Sequence, residues 1–147
     1  MKLLQLLYIS QAATPMDSPA LMDLLAQCHR NNRELGLTGL LMYSGGHFIQ
    51  LLEGDPASVC QMYERIRRDR RHTNVRLLMQ EPAHRRIFDR WRMGLLNMDD
   101  GEALDRERLF AVCRELEEGK ADARSVAVAL LNEFRHQLPA PVGTAAA

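Results

Sequence analysis

The spacing of apolar positions along this chain alternates between extended and helical periods, and each change marks an element. Leu3, Leu4, Leu6, Leu7, Tyr8 and Ile9 place apolar side chains on both sides of an extended segment over 3–10. That is the pattern of a central strand covered on both faces. Leu21, Leu24, Leu25 and Cys28 recur at helical spacing. Ser18-Pro19 before them supplies an N-cap and a first-turn proline, and Gly36 can close the helix. Residues 38–43 and 48–54 flank Ser44-Gly45-Gly46 and read as a hairpin. Asp55-Pro56 repeats the helix opening, and Val59, Met62, Tyr63 and Ile66 form the stripe of a second helix. A fourth strand is expected over 75–80 and a fifth over 88–96, with Trp91, Met93 and Leu95 on one side of it. The order βαββαββ predicts a ferredoxin-like α/β sandwich with both helices on one face of the sheet.

After residue 98 the character changes. Leu109, Phe110, Val112, Cys113 and Leu116 make one helical stripe; Ala127, Leu130, Leu131, Phe134 and Leu138 make another, stopped by Pro139. The expected division is a core over 1–98, a C-terminal helical appendage over 99–138, and a disordered tail over 139–147. Both stripes must be buried, against the sheet's helix-free face, a second subunit or a partner. The appendage is shorter than the roughly 50 residues a domain needs, so no catalytic output domain is expected in it.

Composition narrows the function classes. The chain is 46% hydrophobic and 26% charged, an ordinary globular balance, with zero formal net charge. Residues 64–92 hold ten Arg against four acids, while 99–122 hold nine acids against four bases. These two segments can pair with each other, so charge gives no argument for a nucleic-acid partner. No apolar run reaches membrane-spanning length and no signal pattern opens the chain, so a cytoplasmic location without a membrane partner is expected. Cys28, Cys60 and Cys113 lack metal-ligand spacing, and the five histidines are scattered. No metal site and no nucleophile–base pairing is expected.

The informative residues are polar ones on buried stripes. Continuing the first helix's stripe leads to positions 31, 32 and 35, of which Asn31 and Asn32 are amides. Alternation along the third strand puts Gln50 on the face of Phe48 and Leu52. A buried polar group without a partner costs about 1–3 kcal/mol, so something polar and planar should meet these carboxamides. One asparagine near Gly36 could be a helix C-cap, but capping does not account for two. Taken alone, Tyr8 and Gln50 also fit a core tyrosine bonded to a backbone carbonyl and a glutamine reaching a strand edge. Leu24 and Ile66 fit ordinary core positions, and Arg65, Asp69, Arg71 and His72 fit a solvated helix end.

Tyr8-x-Ser10, Asn31-Asn32, Thr38-Gly39-x-Leu41-x-Tyr43, Phe48-x-Gln50-x-Leu52-Glu53-Gly54, Asp69-x-Arg71-His72 and Trp91-x-Met93-Gly94 together resemble the signature of the BLUF family, blue-light sensors that use FAD. The resemblance covers roughly residues 2–98 in order and spacing. It implies non-covalent FAD, with Tyr8 as photochemical donor and Gln50 as the amide whose hydrogen bonds rearrange. By the same resemblance Asn31 and Asn32 hold the flavin's polar edge and Leu24 and Ile66 sandwich its ring. Asp69, Arg71 and His72, with Arg65, lie near the ring edge and ribityl–phosphate tail. Trp91 and Met93 relay the signal, and which of them faces Gln50 stays open; Arg92 between them departs from the small residue expected there. The function implied is a light-driven switch without substrate turnover, acting in trans on a downstream signalling protein, and a homo-oligomer is expected. Two other readings remain: a flavin-dependent redox enzyme, which needs a substrate cavity where Gln50 sits, and a cofactor-free ferredoxin-like interaction module.

Overall fold

The sheet is built outward from β1 (Leu3–Ala12), which pairs antiparallel with β3 (His47–Gly54) on one side and β4 (His72–Ala83) on the other. β2 (Thr38–Ser44) pairs antiparallel with β3, and β5 (Gly94–Asn97) lies parallel to β2, giving the order β4-β1-β3-β2-β5. This computed structural model describes residues 2–89 and 92–97, with Arg114, Glu118 and Ser125 as isolated positions. The expected C-terminal helices and tail, and Trp91, lie outside the described residues.

Helix α1 (Ser18–Leu35) and helix α2 (Pro56–Arg68) cover one face. Leu21, Leu24 and Leu25 of α1 and Val59 and Met62 of α2 share one core with Leu4, Leu6, Tyr8, Leu41, Tyr43, Phe48 and Leu52. The strand residues come from alternate positions, which a single face requires. The sandwich is therefore ferredoxin-like, with both helices on one side. Leu7, Leu40, Met42, Ile49 and Leu51 point the other way and are also buried, as expected for central strands.

Local chemistry sets the element ends. Asp17, one residue before the expected Ser18, caps α1, its carboxylate accepting from the Ala20 N–H at 2.9 Å. Aspartate reaches the free amides of the first turn as well as serine does. Gly36 closes α1 at φ 67°, with its N–H turned back to the Arg33 and Asn32 carbonyls. Gly45 and Gly46, both at positive φ, make the two-residue turn between β2 and β3. β4 is longer than 75–80, and β5 starts at Gly94 rather than at residue 88. The late start has a physical reason. The Phe88 N–H is taken by the Glu53 carboxylate at 2.7 Å, and the carbonyls of Arg92 and Met93 are taken by α1 side chains. No strand ladder is left for these groups to join. Among the described residues no helix is long and apolar enough to cross a membrane.

Candidate functional site

Gln50 stands near the middle of β3, opposite Tyr8 of β1 and Leu41 of β2. Opposed residues share a face, so register alone brings the phenol and the carboxamide together under the helices. Tyr8 is fully buried. Burial pushes its phenol well above the ordinary range, and Cys28, Tyr63 and Asp69 add to the shift. The hydroxyl therefore keeps its proton and donates it in a hydrogen bond to Gln50 Oε1. That contact orients the amide. Its Nε2 points the other way, toward Met93 Sδ at 3.4 Å. Gln50 and Met93 are both buried, and Met93 meets Gln50 in this structure.

Beside this line lies a cleft of about 240 Å³ between the two helices. From α1 it is lined by Gln27, Cys28, Asn31 and Asn32, from α2 by Met62, Arg65 and Ile66, and from the sheet by Gln50; Asp69 and Arg71 follow α2. Burial pushes the Cys28 thiol up to about 11, against the opposing pull of Arg71, so it is a neutral wall. The Arg71 guanidinium is held by Asp69 at 2.6 Å and by Gln27 Oε1 at 2.8 Å. Its hydrogen bonds keep the Asp69 carboxyl below the usual range. Arg65 is the other cation lining the cleft. Apolar Met62 and Ile66, two asparagine carboxamides and a cation fit a planar heterocycle with an alternating donor–acceptor edge and an anionic tail. Such a lining is compatible with a flavin nucleotide. Among the described residues no group of His, Cys or acids able to hold a metal occurs.

Asn32 has a second contact. It is buried, and its Nδ2 donates to the carbonyl of Arg92. One turn earlier, His29 Nε2 lies 2.9 Å from the carbonyl of Met93. A carbonyl only accepts, so this nitrogen carries the proton. Two α1 side chains thus hold the residues just before β5. Leu24 is in the core and is not among the cleft's lining residues. His72 opens β4 below the cleft, without lining it. Its Nδ1 is 3.0 Å from Ser10 Oγ and its ring centroid 4.9 Å from that of Phe48. Burial lowers its pKa, with Asp69 opposing, so the ring is neutral near pH 7.

Sequence reasoning gave no role to Glu53, which is completely buried and accepts from Gln5 Nε2 at 3.0 Å and Thr38 Oγ1 at 3.1 Å, besides the Ile87 and Phe88 amides. Its signal was a lone acid in the strand run Leu51-Leu52-Glu53-Gly54, opposite a lone amide among the leucines of β1.

Comparison with known proteins bears on this arrangement. The family model described as BLUF, sensors of blue-light using FAD, matches residues 3–94. The photoactivated adenylate cyclase subunit beta of Euglena gracilis is 39% identical over 83 residues, covering 56% of this chain and 10% of that protein. The chain thus spans about a tenth of the length of that relative. A bacterial light-regulated adenylyl cyclase superposes with a TM-score of 0.70 at 27% identity, over 84% of this chain and 38% of that one. The dark-state structure of BlrB, a BLUF protein, superposes with a TM-score of 0.66 at 30% identity, over 80% of this chain and 90% of that one.

Proposed function

The chain belongs to the BLUF family, the sensors of blue light using FAD, and from that premise we propose that it binds FAD non-covalently and works as a light-driven hydrogen-bond switch. One observation carries the reading: a buried, protonated phenol bonded to the oxygen of a carboxamide whose nitrogen faces Met93, beside a cleft lined with amides. Asn31 and Asn32 would hold the alternating edge of the ring system. Ile66 and Met62 would cover its apolar surface, with Leu24 packed in the core of the same helix pair. Arg65 would face the phosphates, and the Asp69–Arg71 pair would shape that end. His72 would act one layer down, through Ser10 and Phe48.

Bound there, FAD supplies the blue-light absorber and a strong one-electron acceptor when excited. Tyr8 is placed to give up an electron together with its hydroxyl proton, toward Gln50 Oε1. With that proton displaced, the Gln50 amide can turn or tautomerise, because its oxygen no longer has to face a donor. When the proton returns to Tyr8, a rearranged amide presents a different group to the cofactor and to Met93. The electron and proton both come back, so nothing is consumed and no substrate is turned over. In this reading Gln50 would fill the place beside the flavin that a redox substrate would need. The changed Met93 contact would pass along β5 toward residues 99–138 and from there to a signalling protein in trans.

Stripping the protein of flavin and titrating it with FAD tests the cofactor assignment. Saturable binding with one FAD per chain is expected. Absence of binding by the folded protein would overturn it.

A further inference from the structure

We propose that Glu53 is a positioning residue for this switch: its buried carboxylate pins the segment crossing from β4 to β5 and thereby sets where Met93 meets Gln50. The proposal rests on the photoreceptor reading above. It starts from the sheet order. β4 is one edge and β5 is the other, so the chain between them must cross β1, β3 and β2. Those three strands contribute Gln5, Glu53 and Thr38, which oppose one another in register and are all buried. Alternation puts them on the side away from the helices.

This row receives the crossing segment residue by residue. Gln5 Nε2 lies 3.4 Å from the Arg85 carbonyl. Arg86 Nη1 donates to Thr38 Oγ1 at 3.0 Å and to the Glu53 carbonyl at 3.3 Å. The amides of Ile87 and Phe88 donate to the two Glu53 carboxylate oxygens at 2.5 and 2.7 Å. A buried carboxylate is tolerated only with donors around it, and backbone amides outside a ladder need acceptors. Each requirement is met by the other. Phe88 is itself buried, which anchors the segment further.

The far end of the segment is tied to the same strand. Three residues from Glu53, on the opposite face of β3, Gln50 Nε2 meets Met93 Sδ, while His29 and Asn32 hold the carbonyls of 93 and 92. Gly39 leaves room for this, since a Cβ there would come within 3.3 Å of the Met93 methyl. β3 therefore grips both ends of the segment, the carboxylate at residues 87–88 and the amide at residue 93. Loosening the first end lets Met93 shift against Gln50, although Glu53 itself does not line the cleft.

The experiment is a double-mutant comparison of dark recovery after a blue pulse, followed by absorbance in flavin-loaded protein. Glu53→Gln keeps the size of the side chain but turns an NH₂ group toward donors. Its recovery rate should differ at least about threefold from the parent, and by much less in a Met93→Ala background, because residues in one network couple. An unchanged rate, or the same factor with and without Met93, would overturn the proposal, since a merely structural loss would be indifferent to Met93. Should Glu53→Gln fail to fold, Thr38→Val, which removes one donor from the carboxylate, decides by the same comparison. A parent protein without a light response would overturn the photoreceptor reading and this one with it, a result distinct from a parent that cycles while the two substitutions act independently.

Discussion

At the scale of single residues, the proposed switch depends on two atoms with complementary needs. Tyr8 keeps its proton because burial disfavours the phenolate, and Gln50 can satisfy that proton only with its oxygen. Tyr8→Phe should retain FAD and lose the light response. It should also cost stability of about 1–3 kcal/mol, because Gln50 Oε1 is left without its donor. Gln50→Ala should lose the response because no amide remains to rearrange; a normal light-minus-dark spectrum in either variant contradicts the assignment. His72 makes a pH prediction. Its folded pKa lies below the ordinary 6.5, so the unfolded chain binds more protons through that window. Stability contributed by the neutral ring is complete above about 6.5 and falls as the pH drops from there through the folded value. Thermal unfolding between about pH 7.5 and 5 should show this loss, and His72→Gln should flatten it; parallel curves would refute it. Much of this scale was legible in the sequence, since alternation alone put Tyr8 and Gln50 on core-facing positions. Glu53 was not, because a single acid in a strand reads as polar until register shows Gln5 and Thr38 beside it.

At the scale of elements, helix stripes, the glycine turn and the proline openings marked α1, β2, β3 and α2 to within a residue or two. The last strand was harder. The sequence over 88–93 has a strand's alternation, but the Phe88 amide and the Arg92 and Met93 carbonyls are bonded to side chains of β3 and α1, which no periodicity records. The close packing of β2 on β3 gives a test. A Cβ on Gly39 would run into the Leu51 carbonyl oxygen and press on Met93. Gly39→Ala should therefore destabilise the fold by about 1–3 kcal/mol or more, measured by denaturant unfolding. A variant as stable as the parent would show that the strands can separate there. In the proposed binding mode the two helices contribute differently. Asn32→Ala removes hydrogen bonds inside a buried site, worth about 0.5–1.5 kcal/mol each. Arg65→Ala would remove the proposed ionic contact to the phosphates, which salt screens. FAD affinity should fall further in the first, and the gap should widen with ionic strength. The reverse order would mean that the phosphates anchor the cofactor.

For the whole molecule, the sheet carries the proposed route from cleft to output. The Gln50–Met93 contact immediately precedes β5, which runs parallel to β2 and comes before residues 99–138 in the sequence. The apolar stripes of that stretch were evident in the sequence, while their docking lies outside the described residues. If they receive the signal, hydrogen exchange in darkness and under continuous blue light should differ between residues 97 and 138. Changes confined to the cleft would contradict a route through β5. The most direct measurement of all is the absorption spectrum of the FAD-loaded protein before, during and after blue light. A small red shift that reverses in the dark in the parent, and is missing in Tyr8→Phe with its FAD still bound, is the expected result. A spectrum indifferent to light, or a shift that survives the loss of the Tyr8 hydroxyl, would contradict the switch proposed here.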